Sequence, residues 1–174
     1  ISGVDMEKIR RGDVLVHPRQ YQGTRRIDAR FKALDDIHKP LVHGDEVKFF
    51  VGASESVATL RILGTEEINA GEEGWVQLEL REPIVALRGD RYILRRPSPG
   101  ETLGGGAVID HQPQGRHKRF DASVIKSLES LAQGSPADIL LEAALALQIA
   151  PIKEMVSKSR LEAKATASAL EELL

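Results

Sequence analysis

Between Asp110 and Asp121 the apolar residues of this chain change their spacing. Upstream they recur at every second position: Ile27, Ala29, Phe31 and Ala33 alternate with Asp28, Arg30 and Lys32. Downstream they recur at three and four: Val124, Ile125, Leu128 and Leu131 fall on one side of a helix. A period of two suits a half-buried strand and a period near 3.6 suits an amphipathic helix. A chain of 174 residues has room for one large or two small domains. The change of period therefore predicts a β domain followed by a helical one.

The β part divides at its turn signals. After the strand from Arg26 to Ala33 comes a loop, Asp35 to Asp45, holding Pro40 and Gly44. Strands are expected at Glu46–Val51, at Ser56–Leu63, and through Val76, Leu78 and Leu80 until Pro83 ends the fourth. A fifth follows at Arg91–Arg95 and a sixth at Gly106–Asp110. Six short strands in succession predict a small closed barrel, which leaves no strand edge exposed. Aromatic residues make up only 4% of the chain, so the core must come from Val, Ile, Leu and Ala.

Before the barrel, Asp5 is placed to cap a short helical turn, Arg11-Gly12-Asp13 reads as a turn, and Val14-Leu15-Val16 reads as a strand stopped by Pro18. The chain opens on Ile1 and is expected to be an excised fragment. The organisation predicted is the terminal edge of a preceding β-barrel at 1–18, a six-stranded antiparallel barrel at 24–112, a basic connector at 113–120, and a helical, winged-helix-like domain at 121–174. In that last domain Asp121 opens one helix and Gly134 stops it. Ser135-Pro136 starts a second, a break at Ala150-Pro151 leads to a third, and residues 160–174 form a fourth. Such a run of helices looks like the front of a winged helix without its wing.

Several chemistries are excluded. Without cysteine there are no disulfides, thiolate metal sites or cysteine nucleophiles, as befits a cytoplasmic protein. No apolar run approaches the roughly 20 residues that span a bilayer, so no membrane partner is expected. The histidines, His17, His38, His43, His111 and His117, show no metal-ligand spacing. No phosphate loop of the Gly-x-x-x-x-Gly-Lys type occurs, and Gly104-Gly105-Gly106 lacks the spacing of a dinucleotide fingerprint. The chain is expected to be noncatalytic and to hold no cofactor.

Binding is what the charges suggest. The net charge is −2, but segments 66–82 and 88–119 are acidic and basic respectively, so two faces of opposite sign are expected. Arg95 and Arg96 precede the glycine run; Arg116, Lys118 and Arg119 follow it. Glycines in succession fit a tight barrel corner or bulge, and equally the close approach of a ribose-phosphate strand. Arg95, Arg96, Thr102, Gly104, Gly105, Gly106, Arg116, Lys118 and Arg119 are accordingly the candidate nucleic-acid contacts. A basic rim with few aromatics favours duplex RNA over single strands. The alternative is ordinary solvated surface. The helix at 160–174 would be the recognition helix if the tail bound nucleic acid, but residues 120–174 carry five basic against eight acidic side chains. That disfavours a DNA-binding regulator and favours a linking role.

These motifs resemble a known family. Gly3-Val4-Asp5 through Arg11-Gly12-Asp13-Val14-Leu15 resembles the close of the second domain of elongation-factor-Tu-like translational GTPases. Glu82-Pro83-Ile84 through Arg91-Tyr92-Ile93-Leu94-Arg95, and Thr102-Leu103-Gly104-Gly105-Gly106-Ala107-Val108, resemble strands of their third domain, a six-stranded barrel. Arg95 and Ser98 followed by Thr102 to Asp110, with the run-on into helices, is most similar to the selenocysteine-specific elongation factors, the SelB group. The resemblance implies GTP-dependent delivery of selenocysteinyl-tRNA to the ribosome at UGA codons. GTP and Mg would belong to an absent GTPase domain, and a selenocysteine-insertion mRNA hairpin to absent winged helices. It also implies that Arg95 and Gly104–Gly106 lie near the T-stem of the tRNA. Glu101 departs from the pattern, since elongation factor Tu has a basic residue there. The alternative within the superfamily is a structural module that touches no RNA.

Overall fold

The computed structural model describes residues 5, 7, 9–16, 21–134, 136–147, 151–159, 161 and 163–173. The chain divides into two compact units, Ile1–Asp121 and Ala122–Leu174.

The first unit is a closed antiparallel barrel of six strands with a two-stranded ribbon beside it. Its strands are β1 (Thr24–Ala33), β2 (Leu41–Val42), β3 (Glu46–Val51), β4 (Ser54–Leu63), β5 (Glu67–Ile68), β6 (Glu73–Ile84), β7 (Arg91–Arg96) and β8 (Glu101–Asp110). The barrel order is β1-β6-β4-β3-β7-β8, and β8 returns to β1. Alternation does the sorting. Ile27, Ala29, Phe31, Leu60, Ile62, Val76, Leu78 and Leu94 are all fully buried, while their sequence neighbours point outward.

Four expectations are corrected. The loop 35–45 contains β2, which pairs with β5 through Leu41↔Ile68. Buried Leu41 and Ile68 give this short ribbon its inner face. Pro83 does not end β6, which runs to Ile84. The β1–β6 register jumps there, from Arg26↔Glu79 to Thr24↔Ile84, and an irregular stretch tolerates a residue with no N–H. Ser56 Oγ accepts from Glu82 N and so holds the strand beside the proline. Val14–Val16 forms no strand; Val14 and Leu15 are exposed, and a strand needs a neighbour that these residues do not find. Gly12 is anchored to the barrel, its carbonyl accepting a hydrogen bond of 2.8 Å from Ser54 Oγ. The capping role of Asp5 and the stop at Pro18 involve Met6, Lys8 and Pro18, which lie outside the described residues.

The fourth correction concerns the glycine run. It is not a corner leading into a strand but the middle of one, since β8 starts at Glu101. Ala33↔Gly104↔Leu94 and Phe31↔Gly106↔Tyr92 are inward rows across β1, β8 and β7. A Cβ on Gly106 would stand on the carbonyl oxygen of Arg30, and one on Gly104 on that of Lys32. The Tyr92 hydroxyl donates to that same Arg30 oxygen at 2.9 Å. Its ring stacks on Phe49 with centroids 5.2 Å apart. Burial pushes the Tyr92 phenol far up, so it stays a donor. The glycines thus admit a neighbouring strand and an aromatic side chain.

The second unit has four helices, α1 (Ala122–Gln133), α2 (Pro136–Leu147), α3 (Ile152–Ser159) and α4 (Ala163–Leu173). Gly134 N bonds to Ser130 O and closes α1. Ala137, Leu140 and Ala169 form a small core, with Met155, Val156, Leu161 and Leu170 packed against it. The expected cap Ser135 and the residues Ala150, Arg160 and Glu162 lie outside the described residues.

Candidate nucleic-acid interface

The outer surface of the barrel has two contrasting walls. On β1, β6 and β4 the outward residues form cross-strand rows: Asp28↔Gln77↔Arg61, Arg26↔Glu79↔Thr59 and Arg30↔Trp75↔Leu63. Outward polar residues ordinarily meet water, yet Gln77 is fully buried and Asp28 nearly so. The cause is the stretch read as a connector, 113–120, which lies along this wall as a strap. Gln77 Nε2 donates to Gly115 O and to Asp28, at 3.0 and 2.8 Å, and Gln77 Oε1 accepts from His117 N. Arg61 donates to His117 O at 3.0 Å. His117 Nε2 and Asp28 Oδ2 are 2.6 Å apart. Further on, Gly64 N bonds to Arg119 O at 2.6 Å.

The basic run on the strap is therefore largely neutralised. Arg116 forms a two-pronged ion pair with Glu79, at 2.5 and 2.7 Å. Arg119 donates to Ile62 O, Thr65 O and Glu66, and its guanidinium covers Phe120. Acidic and basic segments meet on one wall, so the expected faces of opposite sign do not form. Arg30 is likewise engaged, pairing with Glu73 at 2.8 Å and lying 5.2 Å over Trp75. That pairing holds the Glu73 carboxyl below its ordinary range.

The wall made by β3, β7 and β8 has no strap. Arg91, Ile93 and Arg95 of β7 point outward beside Ala107, Gly105 and Thr102 of β8. A register shift between Leu94 and Arg95 buries Leu103 and turns Thr102 out beside Arg95. Gly105 and Ala107 make a floor almost without side chains, with Lys32 and Arg30 of β1 on its far side. Arg91 and Arg95 are exposed and form no ion pair among the described residues. Ile93, between them, is 50% exposed.

Of the candidate residues, then, Arg95, Thr102 and Gly105 share this open wall. Gly104 and Gly106 face the interior. Arg96 is half-buried in an ion pair with Glu101 at 3.0 Å and donates to Lys39 O. Arg116 and Arg119 belong to the strapped wall. Lys118 is exposed on the strap, with its carbonyl accepting from Asp121 N. Glu101 is a structural anchor. Its other oxygen accepts from His38 N and meets His38 Nδ1, both at 2.7 Å. These bonds, with Arg96, bring its carboxyl down to about 2. Sequence reasoning missed Arg91, although its four-residue spacing from Arg95 puts both on one strand face. It also missed the Asp28–His117 pair, whose partners are far apart in sequence. Among the described residues no group of three His, Cys, Asp or Glu is placed to hold a metal ion, and no helix is long and apolar enough to cross a membrane.

Residues 21–115, more than half of the chain, match the family described as "Selenocysteine-specific elongation factor, beta-barrel domain". The chain belongs to that family. A curated relative, the selenocysteine-specific elongation factor of Desulfomicrobium baculatum, is 31% identical over 141 residues, covering 81% of this chain and 22% of the relative. The chain thus spans about a fifth of the length of that relative. The family's barrel region takes in all eight strands and ends at Gly115, on the residue that Gln77 clamps. Both walls therefore belong to the family barrel, while His117, Lys118 and Arg119 lie just beyond it.

Proposed function

We propose that this barrel lays its β3–β7–β8 wall against the ribose-phosphate backbone of selenocysteinyl-tRNA, as part of a factor that carries that tRNA to the ribosome. GTP and Mg would act in another domain of the same factor, and the helical unit would lead toward winged helices that hold an mRNA hairpin. One observation supports the contact above others: among the described residues Arg91 and Arg95 have no acidic partner, and they flank a floor of Gly105 and Ala107. Four residues of strand separate the two guanidinium-bearing positions by about 13 Å, far enough for each to meet a different phosphate of one strand. Backbone can approach the floor closely, and Thr102 offers a hydroxyl donor beside Arg95. Such a wall reads phosphate and sugar. Lys118 extends the reading to the strap, whereas Arg96, Arg116 and Arg119 act structurally.

The test is charge reversal in the full-length factor. Arg91→Glu with Arg95→Glu should weaken tRNA binding and reduce the slope of log K against log salt by about 1.5 to 2. Unchanged affinity at low salt would sink the proposal. The exposed Ile93 favours a second reading, in which this wall packs on a protein domain. In that case Ile93→Asp would impair the factor while the double arginine variant left tRNA affinity intact.

A further inference from the structure

We propose that the strap, residues 113–120, is a proton-keyed latch: closed, it binds the chain to the barrel wall as far as Asp121, and open, it becomes a free tether between barrel and helical unit. This goes beyond the tRNA contact and does not depend on it.

The closed state rests on geometry. His117 closes a row of three outward residues, Asp28, Gln77 and Arg61, and every hydrogen bond of that row runs to the strap or along the row. Without the strap, the nearly buried Asp28 and the fully buried Gln77 would face water. The row directly beneath the strap is polar, and hydrogen bonds with Gln77, Arg61 and Asp28 hold it there. Arg116–Glu79 and Arg119–Glu66 add ion pairs on either side. These pairs are more exposed, with Arg116 at 63% and Glu66 at 79%, and each adds little alone. The Asp28–His117 pair, at 2% and 26%, is the shielded one.

That makes the proton on His117 the key. The groups that face it are Asp28 and Arg26 on β1, Asp110 on β8, Gln77 and Glu79 on β6, and Arg61 on β4, with Arg116 and Arg119 beside it on the strap. His43 lies in the same field of Arg61, Arg119, Glu66 and Glu79. The hydrogen bond to Asp28 raises the His117 imidazole above its ordinary 6.5, against an opposing effect of burial. A base whose folded value is raised contributes stability that is complete below the unfolded value and is lost as pH rises through the folded one. The latch is therefore closed below the ordinary 6.5 and loosens as pH rises above the raised value of His117. Burial raises the Asp28 carboxyl above 3.8, so by the same linkage its protonation does not open the latch, and the opening on the basic side belongs to His117. Release of 113–120 frees eight residues. Fully extended, that length reaches about 28 Å.

Hydrogen exchange of the full-length factor at pH 6 and pH 8, corrected for intrinsic rates, tests this. Peptides covering 113–121 should lose protection at least threefold at the higher pH while peptides of β1 and β6 do not. His117→Gln keeps a polar side chain but cannot titrate; its strap should be open at both pH values. Asp28→Asn should behave likewise, with the barrel strands still protected as proof of folding. Equal protection of the wild-type strap at both pH values overturns the latch, as does a pH response that survives in His117→Gln. Because the readout involves no RNA, failure here is distinct from failure of the tRNA contact.

Discussion

Outward cations stand on both walls, Arg26, Arg30 and Arg61 among those on the β1–β6–β4 wall and Lys48, Arg91 and Arg95 on the β3–β7–β8 wall. Their states are opposite. On the first, Glu79 pairs with Arg26, Glu73 with Arg30, and the His117 carbonyl of the strap accepts from Arg61. On the second, Lys48 pairs with Glu55 at 2.9 Å, and among the described residues Arg91 and Arg95 form no ion pair. Basic residues in a sequence are thus not yet a basic surface. What decides is the register that sets acids across from them, and a piece of chain from outside the barrel that covers one side. The densest cluster of positive charge in the sequence, Arg116 to Arg119, ends up the less available one.

Substitutions can break this contrast or sharpen it. The largest effect is expected at the glycine strand that borders the open wall. Gly106→Ala forces a Cβ onto Arg30 O and displaces the Tyr92 hydroxyl, and should cost about 3 kcal/mol in urea unfolding. Gly115→Ala on the strap meets nothing within 4 Å and should change stability by less than about 0.5 kcal/mol. Next comes Asp28→Ala, which leaves His117 and Gln77 without their acceptor under the strap and should cost about 2 kcal/mol.

Glu101 gives an acid-side test at the hairpin end of the open wall. Its carboxyl lies near 2 when folded and 4.5 ordinarily, so its contribution is complete above 4.5 and lost as pH falls through 2. Melting temperatures of Glu101→Gln and wild type should differ at pH 7 and converge toward pH 2. The smallest stability effect separates the walls most directly. Arg95→Glu should leave stability within about 0.5 kcal/mol while reducing the salt slope of tRNA binding by about 1. Arg116→Glu should do the reverse, costing about 1 kcal/mol by facing Glu79 and leaving that slope unchanged. Identical behaviour of the two variants would erase the distinction between the walls.

Much of this fold was legible in the sequence because alternation is a local signal. Ile27 to Ala33 and Val76 to Leu80 sort themselves inside and out without reference to the rest of the chain. The helices were legible for the same reason, with Pro136 and Gly134 marking their limits. What escaped was non-local. Nothing near Gly104 shows that β1 crowds it, nor that Tyr92 reaches across to Arg30 O. Gln77 reads as an outward residue, correctly, yet is buried by a segment 38 residues later. The candidate interface was half legible: Arg95 and Thr102 lie on the open wall, but the pairing of Arg116 with Glu79 depends on a chain path that no local pattern encodes.

The position of Trp75 has a practical consequence. It is the chain's one tryptophan, 8% exposed in the barrel wall under Arg30, and no aromatic residue occurs after Phe120. Indole fluorescence therefore follows the barrel alone, whereas far-ultraviolet ellipticity near 222 nm is dominated by α1 to α4. Two melting curves from a single sample would then show whether the two units unfold together or in succession, with no label attached to either.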